Sequence, residues 1–150
     1  QEIIDNLYTA SIAGVEIVLI IRGICGLVPG VKDLSENIRV ISILGRYLEH
    51  SRIYYFENGK NDPLVFSGSA DWMPRNFFRR IECVFPVRSQ SLKKRMIDDL
   101  LNLYLKDNKY AKELKPSGEY IPIEPTGEEK DFSVQEYLIG QTEKMRESLI

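Results

Sequence analysis

Side chains that could carry phosphoryl chemistry lie close together between Tyr47 and Asn76. The chain's one histidine, His50, is followed two positions later by Arg52. An imidazole can attack phosphorus or carry a proton, and a guanidinium binds phosphate oxygens in a fixed geometry. A hydroxyl and a carboxylate follow at Ser69 and Asp71. This combination is typical of phosphoryl transfer, which needs a nucleophile or proton carrier, a fixed cation and hydrogen-bond donors.

Two apolar runs must position these groups. The first is Ile53–Phe56 and the second is Leu64–Phe66, with the turn-rich residues 57–63 between them. Small polar residues follow the second run directly. The pattern predicts a strand, a turn, a second strand and a short loop. We therefore expect His50 and Ser69 near the same ends of two neighbouring strands.

The spacing resembles that of phospholipase-D-like phosphoryl transferases. Those proteins carry a His-x-Lys-x4-Asp element followed by Gly-Ser-x-Asn. Here the corresponding residues are His50, Arg52 and Glu57, followed by Gly-Ser-Ala-Asp at residues 68–71. Arginine replaces lysine, glutamate replaces aspartate, aspartate replaces the closing asparagine, and the turn between the two halves is longer.

Three longer strings indicate a closer relationship. Residues 21–30 (IRGICGLVPG), 34–59 (LSENIRVISILGRYLEHSRIYYFENG) and 69–76 (SADWMPRN) closely resemble the C-terminal catalytic domain of bacterial polyphosphate kinase. The resemblance implies an α/β fold of the phospholipase-D-like kind, with a mixed β-sheet flanked by helices. It further implies a catalytic domain over residues 1–106 and an extended C-terminal segment over 107–150 that ends in a helix.

The same resemblance implies a function. The parent enzyme would transfer the γ-phosphate of ATP reversibly to inorganic polyphosphate, through a phosphohistidine in a preceding sister domain that this chain lacks. His50 would be a second catalytic histidine, acting as acid/base or electrostatic helper. Arg22 would bind ATP together with His50, and Mg²⁺ would accompany the nucleotide. The isolated fragment is therefore predicted to be inactive.

Polyphosphate is a polyanion, so holding it requires several cations. Five arginines form the available reserve: Arg39, Arg52, Arg75, Arg79 and Arg80. Arg52 and Arg75 are the preferred pair because both lie in the central stretch, and Ser69 is the predicted hydroxyl donor. Asp71 would orient a neighbouring group, although Ser69 and Asp71 could equally serve only to shape a turn.

The bulk composition sets limits on partners and location. A length of 150 residues suits one domain, and a net charge of −2 gives no argument for nucleic acid or an anionic membrane. Cys25 and Cys83 are read as reduced thiols, which favours a cytoplasmic location, with membrane association left open for the full-length protein. No metal ligands are predicted. The missing N-terminal domains and further copies of the chain are the expected protein partners, since the start resembles a cut from a longer chain.

Periodicity predicts the remaining elements. Apolar residues at helical spacing begin the chain, and the β-branched residues 15–21 lead into Arg22 and Gly23 at the end of a buried strand. The predicted elements are helices over 2–13, 91–106 and 132–150, one helical turn over 45–49, and strands over 15–21, 38–43, 52–56, 64–67 and 79–87.

Two other functions fit the residues. A phospholipase-D-like phosphodiesterase would cleave phosphodiesters, and the exchanges of lysine and asparagine count against it. A non-catalytic assembly module would suit the polar region after Asn108. It predicts that substitutions of Arg22 and His50 leave the parent activity unchanged.

Overall fold

Two β-sheets organise the part of the chain that the structure describes, residues 1–60 and 62–148 of this computed structural model. Each sheet belongs to a separate structural unit. Unit 1 consists of Gln1–Leu48 and Tyr104–Ile150, and unit 2 consists of Glu49–Leu103. Unit 2 is thus inserted into the sequence of unit 1.

The described chain contains five α-helices and seven strands. They are α1 (Glu2–Ile12), β1 (Ile17–Ile21), β2 (Ile38–Ile43), β3 (Ile53–Phe56), β4 (Leu64–Gly68), α2 (Pro74–Phe78), β5 (Val84–Pro86), α3 (Gln90–Met96), α4 (Asn102–Tyr104), β6 (Ala111–Leu114), β7 (Tyr120–Pro122) and α5 (Val134–Glu147). A π-helical stretch, Ile97–Leu101, joins α3 to α4. Among the described residues, no helix is long and apolar enough to cross a bilayer.

Unit 1 contains a four-stranded mixed sheet in the order β1-β2-β6-β7. β1 and β2 are parallel, and β6 and β7 complete the sheet as antiparallel strands. The buried core includes Leu27, Val40 and Leu114, and apolar side chains of α1 such as Leu7 pack against it. Helical spacing of those side chains places them on one face of α1. Complete burial of an aliphatic side chain such as Val40 contributes about 1.5–3 kcal/mol.

Unit 2 contains a three-stranded antiparallel sheet in the order β3-β4-β5. Tyr54 of β3 lies beside Phe66 of β4. At Gly68, where β4 passes β5, a side chain would overlap the carbonyl oxygen of Cys83, so the close approach requires glycine. Helix α3 is tied to the turn before β4 by Lys93, whose ammonium lies 2.7 Å from the carboxylate of Asp62.

The predicted α/β class and the hairpin of neighbouring strands β3 and β4 are confirmed. The strands form two sheets, however. Among the described residues, the antiparallel β3-β4-β5 sheet makes no strand pairing with the sheet of unit 1. Residues 107–122 contribute strands β6 and β7, and β6 pairs with β2 of unit 1. The family boundary expected after residue 106 stays a prediction.

Smaller differences concern element ends. Residues 45–49 form no helical turn, and the predicted strand over 79–87 is reduced to Val84–Pro86. The short helix α2 was not predicted; its first residue is Pro74, whose fixed φ suits a helix start. Residue 61 of the predicted turn and residues 149–150 of the predicted last helix lie outside the described residues.

Candidate functional site

Arg52 connects the predicted catalytic histidine to the loop after β4. Its Nε lies 3.0 Å and its Nη2 2.8 Å from Oδ1 of Asp71. Its Nη1 donates to the backbone carbonyl of His50. Only 15% of the Arg52 side chain and 26% of the Asp71 side chain are exposed, so solvent screens this ion pair less than a surface pair. The predicted neighbours His50, Arg52 and Asp71 are therefore brought together.

His50 itself lies just before β3, as the second residue of unit 2. Its side chain is exposed, and the first residue of the strand, Ile53, follows three positions later. An exposed imidazole at a strand entrance can reach a substrate or a proton carrier from solvent. Its carbonyl is fixed by Arg52 while its ring remains accessible.

The loop after β4 is held by two contacts with Tyr54 of β3, one on each side of Asp71. The Tyr54 hydroxyl donates to the carbonyl of Ala70 at 2.6 Å. The Tyr54 ring stacks on Trp72 with 5.3 Å between ring centroids and an interplanar angle of 2°. Burial raises the pKa of the Tyr54 phenol above its usual value of 10.0, so the hydroxyl keeps its proton for this hydrogen bond. Asp71 lies between these two contacts.

Ser69 belongs to a polar network at the end of β4. Its hydroxyl donates to Glu82 Oε2 at 2.5 Å, and its oxygen accepts from the backbone N–H of Cys83 at 3.1 Å. The Asn76 amide donates to the other oxygen of Glu82 at 2.6 Å. A serine hydroxyl carries one proton, which here is donated to Glu82. The role of Ser69 in binding polyphosphate stays a prediction, and it would require Ser69 to exchange this hydrogen bond.

Sequence reasoning missed Glu82 and Asn76 as members of this network. Asn76 is 4% exposed, and its Oδ1 has no hydrogen-bond partner among the described residues. Glu82 follows a run of exposed residues and shows no periodic relation to Ser69 in the sequence. Only the pairing of β4 with β5 brings the two together.

The Glu82 network predicts a pH-dependent stability. Hydrogen bonds from Ser69 and then Asn76 lower the pKa of Glu82 below its usual 4.5. A carboxyl whose pKa is lowered by folding stabilises the fold above its unfolded pKa, and this contribution is lost as the pH falls through the folded pKa. Glu82→Gln should therefore lower the melting temperature near neutral pH, and the difference from the parent protein should shrink below pH 4.5.

Thermal unfolding of both proteins across this pH range tests that expectation. Glu57→Gln is the matched control, because Glu57 is exposed in the same unit and forms no hydrogen bond among the described residues. A Glu82→Gln difference that is constant with pH would contradict the role given to the ionised carboxylate.

Arg75 is the predicted polyphosphate ligand with the most accessible guanidinium. It lies in the last turn of α2, is exposed, and pairs with no carboxylate among the described residues. Arg79 and Arg80 follow immediately after the helix and are also exposed. Three arginines within six positions form a local cationic surface that suits a polyanion.

Arg22 lies in the other unit, directly after β1. It is half-buried, and the loop that follows it lines a cavity of about 530 Å³ together with Leu27, Lys112 and Tyr120. The Tyr120 hydroxyl donates to the carbonyl of Gly23 at 3.2 Å, which joins this loop to β7. The end of a parallel strand is a common position for ligand-binding side chains. His50, Arg52, Ser69 and Arg75 all lie in unit 2.

The donor set does not suggest a protein-held metal. Among residues 1–60 and 62–148, no group of three or more histidine, cysteine, aspartate and glutamate side chains could hold a metal ion. Cys25 and Cys83 are free thiols.

Comparisons with known proteins agree on one relationship. The family described as "Polyphosphate kinase C-terminal domain 2" matches residues 1–135. The chain is 53% identical over 133 residues to the polyphosphate kinase of Neisseria meningitidis serogroup B, covering 89% of the chain and 19% of that protein. It is 51% identical over 140 residues to the polyphosphate kinase of a Synechocystis species, covering 93% of the chain and 19% of that protein.

A solved structure shows the same relationship. The crystal structure of polyphosphate kinase from Porphyromonas gingivalis aligns with a TM-score of 0.85 at 44% identity. The alignment covers 96% of this chain and 22% of that protein. The chain spans about a fifth of the length of the proteins that it matches.

Proposed function

Because the chain belongs to the family of polyphosphate kinase C-terminal domains, we propose that its parent enzyme transfers the γ-phosphate of ATP reversibly to inorganic polyphosphate. The predicted family resemblance and its phospholipase-D-like α/β fold are confirmed. The observation that carries the proposal is the match over residues 1–135, which includes His50, Arg52 and the loop after β4. The chain contributes groups that bind and position phosphates for the transfer.

In this proposal, His50 works opposite a phosphohistidine of a sister domain outside this chain. Its accessible imidazole carries a proton or stabilises charge while the phosphoryl group moves between ATP, the phosphohistidine and polyphosphate. The isolated chain is consequently inert, since it lacks the histidine that becomes phosphorylated.

Polyphosphate binding is assigned to Arg75, Arg52 and Ser69. The exposed guanidinium of Arg75 supports this assignment most directly. Arg52 keeps N–H groups that are not used by Asp71 or by the His50 carbonyl, because a guanidinium has five donors. Ser69 would contribute only after releasing Glu82.

The remaining partners follow from the same function. ATP and ADP are the nucleotide ligands, and Mg²⁺ would neutralise their phosphates. Unit 2 exposes Phe78 (80%) and Ile81 (103%), and apolar surface of this kind is suited to the remaining domains of the parent enzyme or to further copies of it. We place the enzyme in the cytoplasm, with any membrane association supplied by its other domains, and assign it no nucleic-acid partner.

Arg22 provides the test of nucleotide binding. In the full-length enzyme, Arg22→Ala should raise the KM for ATP about 10- to 100-fold, because charge-assisted hydrogen bonds contribute about 1.5–3 kcal/mol. Arg22→Lys should recover part of the loss, since lysine keeps the charge but not the bidentate geometry. Steady-state kinetics with varied ATP measure the effect.

Arg39→Ala is the matched control in unit 1, because the Arg39 guanidinium already pairs with Glu113 at 3.2 Å. An unchanged KM for ATP in Arg22→Ala would overturn the assignment of Arg22, as would an equal change in Arg39→Ala. Cleavage of phosphodiesters by the full-length enzyme, without polyphosphate synthesis, would instead indicate a phosphodiesterase.

A further inference from the structure

We propose that Asp71 is a positioning residue for His50 and that it acts through Arg52. This inference rests on the proposed function, because it assigns Asp71 a task only if His50 takes part in the reaction. The carboxylate of Asp71 holds the guanidinium, and the guanidinium holds the peptide carbonyl of His50.

The directions of the two hydrogen bonds and one ion-pair contact of Arg52 support this arrangement. Nε and Nη2 lie on one edge of the guanidinium, and both contact Oδ1 of Asp71, at 3.0 and 2.8 Å. Nη1 lies on the other edge, and it donates to the carbonyl of His50. Because the guanidinium is planar and rigid, fixing one edge fixes the direction of the other. Asp71 thereby determines where the carbonyl of His50 can lie.

Asp71 can act as a fixed anchor because the loop around it is itself fixed. The residue before it, Ala70, accepts the Tyr54 hydroxyl at 2.6 Å, and the residue after it, Trp72, stacks on the Tyr54 ring. Two residues before Asp71, Ser69 accepts the N–H of Cys83. The loop is thus attached to β3 on one side and to the segment before β5 on the other, and little freedom remains for the Asp71 backbone.

His50 needs such an anchor because of its position in the chain. It lies three residues before Ile53, where β3 and its pairing with β4 begin. Misplacing a catalytic group by about 1 Å can lower a rate about 100-fold. The bond from Arg52 therefore gives His50 an orientation that the strand alone does not provide.

The test uses four full-length enzymes: the parent, Asp71→Asn, His50→Ala and the double variant. Asp71→Asn is expected to lower kcat for polyphosphate synthesis about 10- to 100-fold, with a smaller change in the KM for polyphosphate. In the His50→Ala background, Asp71→Asn should have little further effect on kcat, because the imidazole that Asp71 helps to position is absent. Labelled ATP allows the residual rates to be measured. Equilibrium dialysis gives the Kd for ATP of all four enzymes, as a second measure of the coupling between Asp71 and His50.

Two further variants separate positioning from general stability. Asp62→Asn is the matched control, because it removes one negative charge and one ion pair, with Lys93, from the same unit. It should change the melting temperature without a selective loss of kcat. Arg52→Lys keeps the charge but cannot hold both Asp71 and the His50 carbonyl with one rigid plane, so it should reproduce the kcat loss even if Asp71→Asn fails to fold.

The outcomes distinguish the inference from the proposed function. Low activity in His50→Ala combined with normal kcat in Asp71→Asn and Arg52→Lys would overturn the inference and leave the proposed function intact. The inference would also fail if the kcat losses of Asp71→Asn and His50→Ala were fully additive in the double variant. It would fail as well if Asp71→Asn bound polyphosphate more tightly at an unchanged rate. Normal activity in His50→Ala would overturn the catalytic role of His50, and the role of Asp71 with it.

Discussion

Replacing His50 by alanine in the full-length enzyme should lower the rate of polyphosphate synthesis about 10²- to 10⁴-fold, the range that general acid–base catalysis contributes. The imidazole is exposed at the entrance to β3, and its backbone is held by Arg52, so the substitution removes a reactive group without removing a core contact. The fold should therefore remain intact. Initial rates with ATP, combined with circular dichroism and thermal unfolding, measure both effects.

Ser51→Ala is the neighbouring control. Ser51 is exposed and makes no side-chain hydrogen bond among the described residues, so its loss should leave the rate near that of the parent. Labelling with γ-³²P-ATP adds information about the step affected. If the sister domain still becomes labelled in His50→Ala, His50 serves transfer to polyphosphate; if labelling also stops, His50 serves the first transfer. A folded His50→Ala enzyme with a normal rate would show that the histidine is structural.

Among the substitutions considered, Asp107→Ala should cause the largest loss of stability. Its side chain is 2% exposed, and Oδ1 accepts the backbone N–H groups of Lys109, Tyr110 and Ala111 at 3.1, 2.8 and 3.1 Å. Oδ2 accepts the N–H of Val134 in the first turn of α5 at 2.9 Å. Asp107→Ala leaves four backbone donors without this acceptor, and we expect the free energy of unfolding to fall by about 3–5 kcal/mol.

Urea unfolding followed by circular dichroism measures this loss. Asp107→Asn keeps one acceptor oxygen and should lose less than Asp107→Ala. Asp131→Ala is the charge-matched control, because Asp131 is exposed and accepts no hydrogen bond among the described residues. A loss below about 1 kcal/mol for Asp107→Ala would show that water can replace the carboxylate at these four donors.

Much of the fold follows from local patterns. The β-branched runs of β1 and β2, the helical spacing of α1, and the two runs that form β3 and β4 were all predictable. The hairpin of β6 and β7 was missed because Lys112 and Glu113 make the segment polar, although Ala111 and Leu114 beside them are buried. That burial depends on β2, which is distant in sequence.

The candidate site was predictable only in part. His50 and Arg22 were identified through family strings, and the groups around them through sequence proximity. The ion pair between Arg52 and Asp71 depends on strand register and on the loop held by Tyr54, which no local pattern encodes. The bond from Ser69 to Glu82 likewise depends on how β5 pairs with β4. Most residues of the candidate site were therefore predictable from the sequence, but the hydrogen bonds and ion pairs that join them were not.

The insertion of unit 2 into unit 1 has a consequence for biosynthesis. Ile41 of β2 pairs with Glu113 of β6, and the whole of unit 2 lies between them in the sequence. A ribosome therefore releases every residue of unit 2 before it releases the strand that completes the sheet of unit 1. Unit 2 is free to fold during translation. Until β6 has been synthesised, one edge of β2 is unpaired and can associate with other chains. Nascent chains that stall before β6 should accordingly be the species that chaperones must protect.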